Sequence, residues 1–196
     1  MKKTRLPLIA VLLALTLFSC KKSSTGPTTK TETPAKTTIS NALIVDTAGI
    51  FNNGSYEFGQ KFFVSKNGTI TKLGCKMASK GSFRVSLWDF TTNNLIAATT
   101  VNVTDTLNFT YNTVSAITVT ANTRYVISIN NTDGVNKPYY KCYKRPGFGT
   151  VVYPFTTGSV TYENGLYESS ATSIFPTVSS MDSFWGVPDI QFEYSE

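Results

Sequence analysis

The sequence predicts an all-β fold, an antiparallel, jelly-roll-like β-sandwich over residues 41–196. Two observations carry this. From Phe58 onward, short runs rich in Val, Ile, Thr, Phe and Tyr are punctuated by turn chemistry, with KFFVS followed by KNGT, TITKLGCKM by ASKG, and FRVSLWDF by TTNN. The turns recur every 8–12 residues or so, which is roughly the spacing of a sandwich. No helical period of any length competes with the alternation.

The first forty residues are of another kind. Lys2, Lys3 and Arg5 precede an apolar run over residues 6–18, shorter than the roughly 20 residues needed to span a bilayer. Residues 1–19 therefore read as an export signal peptide. Leu17-Phe18-Ser19-Cys20 ends the run where an ordinary secretory signal would carry small residues of the A-x-A kind. That ending resembles the lipobox of bacterial lipoproteins. The resemblance implies that Cys20 is acylated, becomes the mature N-terminus, and anchors the protein to a membrane. Residues 20–40, rich in Ser, Thr, Pro and Lys, have almost nothing large and apolar to bury, so a disordered tether is expected after the lipid. Lys21-Lys22-Ser23 lacks an acidic cluster resembling a surface-export signal. The expected location is the outer membrane of the cell envelope, facing the periplasm.

Charge is distributed to match. Seven of the 18 basic residues lie before Ser40, against one of the 12 acidic residues, Glu32, leaving 11 of each in the remainder. The folding part is neutral, so the basic pI of about 9.2 belongs to signal and tether. It gives no support for nucleic-acid binding, which needs a basic face on the domain. About 155 residues suffice for one domain with a sizeable core.

Within the domain, Asn67-Gly68 is the strongest hairpin signal, since both residues tolerate the positive φ of a type I′ turn. In FRVSLWDF, alternation groups Phe83, Val85 and Leu87 on the core face and sets Trp88 outside it or beneath a covering loop. LIAATTVNV, LNFTYNTV, AITVT, RYVISIN, KPYYKCYK and DIQFEY continue the pattern to the end of the chain. Alternation also turns Cys75 and Cys142 inward. They form either a disulfide or two buried thiols acting as small hydrophobes.

Several of these segments carry a family resemblance. FGQKFFVSKNGTITKLGCK, VSLWDFTTNNLIA, FTYNTVSAITVTANTRYVISI and FPTVSSMDSFWGVPDIQF together resemble the bacterial domain-of-unknown-function 4082 (DUF4082) family. Leu87-Trp88-Asp89 with Leu95-Ile96-Ala97, and Ala121-Asn122-Thr123-Arg124-Tyr125, are the most specific parts. Asn122 stands where the family usually has Gly, and Leu107-Asn108 where it tends to have Gly-Trp; Asn supplies the same left-handed turn. The resemblance implies a β-sandwich attached to secreted and surface proteins, many with carbohydrate-related partners. It implies no activity.

The chain contains no histidine, which excludes Ser-His-Asp and Cys-His catalysis and every histidine-containing zinc site. Glu57, Asp89, Glu163, Glu168 and Asp189 are numerous enough for a carboxylate pair of the glycosidase kind, but none sits in a motif. No cofactor and no metal is expected. The unusual stretch is 137–185, which holds PYYKCYKRPGFG, VVYPF, TYENGLY, IFP and SFW. Tyr139, Tyr143, Arg145, Phe148, Tyr162, Tyr167 and Trp185 are the candidate ligand-binding residues. Exposed rings would stack on a sugar while rim polar groups bond its hydroxyls; the alternative places the rings in the core. The expected function is a lipid-anchored, non-catalytic module binding a glycan or another envelope component. A structural or adhesion subunit that meets another protein is the alternative, and a glycan-active enzyme the third reading. A concave cluster of rings favours sugar, and a flat patch favours protein.

Overall fold

Alternation of large apolar with polar side chains makes strands, and the computed structural model is built almost wholly of them. It describes residues 26–41, 44–144 and 151–196, with backbone alone at 44–48, 143 and 144. The chain runs through β1 (Thr29–Glu32), α1 (Pro34–Ser40), β2 (Ile44–Phe51), β3 (Tyr56–Val64) and β4 (Gly68–Cys75). It continues through β5 (Gly81–Asp89), β6 (Leu95–Val103), β7 (Thr110–Val119), β8 (Arg124–Asn130) and β9 (Tyr139–Lys144). It closes with β10 (Phe155–Thr157), β11 (Val160–Ser169), β12 (Val178–Ser180), β13 (Phe184–Trp185) and β14 (Pro188–Ser195).

Three antiparallel sheets result. One has four strands in the order β1-β14-β4-β7; a second has seven, in the order β10-β11-β3-β8-β5-β6 with β12 beside β11; the third is β13-β9-β2. The two larger sheets share one core. Phe62, Val64, Phe83, Val85, Leu87, Ile127 and Ile129 come from the seven-stranded sheet and meet Ile70, Leu73, Ile190 and Phe192 of the four-stranded one. The all-β sandwich expected from the alternation is what forms. Trp88 lies on the opposite face of β5, 6% exposed, in a second cluster with Val126, Leu166, Phe90 and Phe175. Phe175 belongs to the segment between β11 and β12, which covers the ring, and the indole N–H donates to Ser128 Oγ at 2.7 Å.

Two expectations need correction, and one open alternative is decided. Asn67-Gly68 does not turn a hairpin, because β3 pairs with β11 and β8 whereas β4 pairs with β14 and β7. The chain crosses there from one sheet to the other. Asn67 uses its side chain to accept the Ala121 N–H at 2.8 Å, and a Cβ at Gly68 would lie 2.3 Å from the Glu193 carbonyl oxygen. The glycine serves close strand approach rather than a positive φ. ASKG likewise crosses between sheets, and of the three turn signals only TTNN closes a hairpin, between β5 and β6 with Asn93 at φ 59°.

Second, the expected tether is partly folded. β1 pairs with β14 from Thr29↔Ser195 to Glu32↔Phe192, and α1 buries Pro34, Ala35 and Thr38. Composition misled because polar contacts, more than large apolar burial, hold this segment. The Glu32 carboxylate accepts the Ser159 N–H and hydroxyl and the Tyr194 hydroxyl. Asp189 accepts the Ala35 and Lys36 N–H groups of the first turn of α1 at 2.9 and 3.0 Å. The folded unit therefore includes residues 29–40, ahead of the boundary expected at 41.

Of the two alternatives for Cys75 and Cys142, both fully buried as alternation requires, the structure has the thiols and not a bridged pair. They occupy different sheets: Cys75 stands opposite Thr110 and Pro188, and Cys142 opposite Phe184. Each fills core volume as a small hydrophobe.

Candidate functional site

The site begins at the junction of β13 and β9. Trp185 stands in register with Lys141, and the glycine after it fixes its direction. Gly186 has φ 67°, and a Cβ there would come within 2.7 Å of Ile129 Cγ2 and 3.0 Å of Phe58 Cβ, so only glycine fits. Gly186 N–H donates to the Tyr140 carbonyl at 3.0 Å. On the other side the Gln60 amide donates to the Trp185 carbonyl at 3.1 Å, while Tyr153 donates its hydroxyl to the same Gln60 side chain. The tryptophan backbone is thus pinned from the core, and its ring is left half-buried at the surface.

Around it lies a groove of about 240 Å³ lined by Phe51, Asn53, Tyr56, Phe58, Tyr139, Lys141, Tyr167 and Trp185. Phe58 and Tyr139, both buried, make the floor, with ring centroids 4.4 Å apart. Tyr167 meets Trp185 edge to face at 5.0 Å and Tyr56 at 6.5 Å, building one wall. Phe51, 37% exposed, stacks on Tyr139 at 6.1 Å and forms the lip. Lys141 Nζ sits 5.6 Å from the Trp185 centroid and 6.0 Å from that of Phe51. The Tyr139 hydroxyl donates to Asn53 Oδ1 at 2.8 Å, and burial raises its pKa, so it remains a phenol. Such a groove offers apolar ring faces for stacking, an amide and phenols for hydroxyls, and one ammonium.

The structure brings together three of the expected residues, Tyr139, Tyr167 and Trp185. It removes Tyr162, which is fully buried in the core between Phe62, Phe155 and Phe184. Alternation along β11 explains this: Tyr162 faces inward before a bulge at Tyr162/Asn164 shifts the register, and Tyr167 beyond it reaches the groove. Tyr143 is placed only as a backbone position in β9, and Cys20, Arg145 and Phe148 lie outside the described residues. Sequence reasoning misses Phe51, Asn53, Tyr56 and Phe58. Asn53 lies within the NNGS turn between β2 and β3 and the three rings flank it, far in sequence from the aromatic-rich segment, and an aromatic on each side of that turn is the available signal.

The five carboxylates numerous enough for glycosidase chemistry have other work. Asp189 is fully buried under α1. Glu57, also fully buried, accepts from Ser128 at 2.5 Å and from Arg84 at 3.3 Å, and burial raises its pKa. Glu163 pairs with Arg124 and Lys61, Glu168 accepts from Thr177, and Asp89 caps the β5–β6 turn through the Thr91 and Thr92 N–H groups. Among the described residues, no three of His, Cys, Asp and Glu gather as a metal-holding group, and no helix is long and apolar enough to cross a membrane.

A family model described as "Domain of unknown function (DUF4082)" matches residues 45–186, well over half of the chain. The match includes every residue lining the groove and stops just short of β14. No curated protein matches the chain.

Proposed function

The chain belongs to the DUF4082 family, and on that premise we propose that it is a lipid-anchored, non-catalytic binding module of the cell envelope that holds a glycan in the aromatic groove. One observation carries the reading: the half-buried faces of Trp185, Tyr167 and Tyr56 border a concave site rather than a flat patch. Sugar rings present an apolar face flanked by hydroxyls, and aromatic walls with an amide and phenols at their edges match both features. A rigid scaffold supports the reading further. The groove draws on β2, β3, β9, β11 and β13, four of which also contribute buried residues to the core, so little ordering cost is left for binding. The lipid on Cys20 and the periplasm-facing outer-membrane position belong to the same proposal and rest on the lipobox resemblance.

A glycan array probed with wild-type and Trp185→Ala chains tests it. The expected result is binding to a defined set of glycans, weakened by about 1–3 kcal/mol in the variant, by analogy with ring stacking on nucleic-acid bases. Equal binding by the two chains would remove the groove from the account.

A further inference from the structure

The groove and the point where the chain enters the sandwich lie at opposite ends of the molecule. β3 begins at Tyr56 and Phe58, in the groove, and ends at Val64. Two residues on, Lys66 pairs with Glu196 at 3.3 Å, and Glu196 exchanges both backbone hydrogen bonds with Thr28, the residue before β1. β14 runs between the same two ends. Gly186, which fixes Trp185, lies two residues before its first residue, Pro188, whereas Ser195 stands opposite Thr29. At about 3.3 Å per residue, the nine residues of β3 hold the two ends roughly 25 Å apart.

The proposed lipid belongs to the entry end. Between Cys20 and β1 stand eight residues, Lys21 to Thr28, which reach at most roughly 28 Å when fully extended. To lay the groove on the membrane that holds the lipid, these residues would have to run back along the whole sandwich and use nearly all of that reach. Ordering each of them in that way costs chain entropy. The groove is therefore directed away from the anchoring membrane. The entry strand is also placed to resist a pull from that end. Such a pull acts along β1, so the ladder from Thr29↔Ser195 to Glu32↔Phe192 shares it, with the Glu32 contacts to Ser159 and Tyr194 at the far end.

We propose that the ligand is a glycan polymer lying beyond the anchoring membrane, a strand of the cell wall, and not a glycolipid headgroup of that membrane. This rests on the glycan-binding and lipid-anchor readings and names the source of the glycan.

The test uses the full acylated chain in phospholipid vesicles. A donor dye is placed on Val135→Cys or on Ser195→Cys, with an acceptor in the vesicle lipid. Val135 is 62% exposed and follows β8, whose last residue Asn130 stands opposite Glu57 at the groove end; Ser195 is exposed at the entry end. Cys75 and Cys142 are buried and stay unlabelled in the native chain. The expected result is several-fold stronger energy transfer from position 195 than from position 135. Purified peptidoglycan sacculi should capture the vesicles, and Trp185→Ala should weaken capture by about tenfold. Lipopolysaccharide in the same bilayer as the protein should leave its tryptophan emission unchanged. Equal transfer from the two positions, an emission that responds to lipopolysaccharide in its own bilayer, a free Cys20 thiol, or sacculi that capture nothing while the glycan array shows binding overturns this inference and leaves the glycan reading standing. Failure of the sacculi, the lipopolysaccharide and the array together overturns both.

Discussion

Asp189 should make the fold more stable in mild acid than at neutral pH. Its carboxylate is fully buried, with Oδ1 accepting the Ala35 and Ile190 N–H groups at 2.9 Å each and Oδ2 accepting the Lys36 N–H at 3.0 Å and the Tyr111 hydroxyl at 2.6 Å. Burial pushes its pKa up and the donors, Tyr111 foremost, pull it part of the way back, leaving it raised from 3.8 to about 6. A carboxyl raised on folding binds its proton more tightly in the native state. Its contribution is therefore fully present below the unfolded value and is lost as pH rises through the folded one. The window runs from about 4 to about 6, and a shift of roughly two units corresponds to roughly 3 kcal/mol. Other groups titrate nearby. Glu57 is raised and acts in the same direction, whereas Asp182 and Glu163 are lowered and oppose it. The measurement is thus a difference: urea unfolding of wild type and Asp189→Asn at several pH values. The advantage of wild type over the variant should shrink by up to roughly 3 kcal/mol between pH 4 and pH 7. A constant difference, or one that grows with pH, would refute the reasoning.

The packing predicts three further outcomes. Trp88→Ala should destabilise by about 3–5 kcal/mol in the same unfolding assay, because it empties a covered site and strips Ser128 of its indole donor; Trp185→Ala should fall well below that. Gly186→Ala should cost at least about 1–2 kcal/mol for a side chain in the left-handed region, and the clash with Ile129 and Phe58 should change the Trp185 fluorescence as well. Cys75 and Cys142 should resist a thiol reagent in the native chain and react in denaturant, since both are buried and burial pushes the Cys75 thiol pKa up.

The fold class was legible because alternation is local. Phe83, Val85 and Leu87 declared the inward face of β5 without knowledge of any partner strand. Strand pairing was not legible, since Asn67-Gly68 carries the same letters whether it turns a hairpin or, as here, leads the chain from one sheet to the other. The folding of residues 29–40 was hidden for a related reason. Its main polar anchors, Ser159, Asp189 and Tyr194, lie more than a hundred residues away, and a Ser/Thr-rich segment looks the same whether or not an acceptor awaits it. At the groove, Trp185 could be found from the bend after it, and Tyr139 and Tyr167 from aromatic density. Tyr162 could not be separated from them, because it and Tyr167 share the inward face of β11, opposite Phe62 and Phe58, and only their positions along the pairing with β3 divide core from groove. Phe51, Tyr56 and Phe58 reach the site only through the pairing of β2 with β9 and of β3 with β11.

Glycan binding at the groove has one direct measurement. The chain has two tryptophans, and therefore two indole N–H signals in a nitrogen–proton correlation spectrum, assignable with Trp185→Phe. The account predicts that a glycan selected by the array shifts the Trp185 signal in a saturable way while the Trp88 signal, held beneath Phe175 and bonded to Ser128, stays in place. Calorimetric binding that leaves the Trp185 signal unmoved would contradict it.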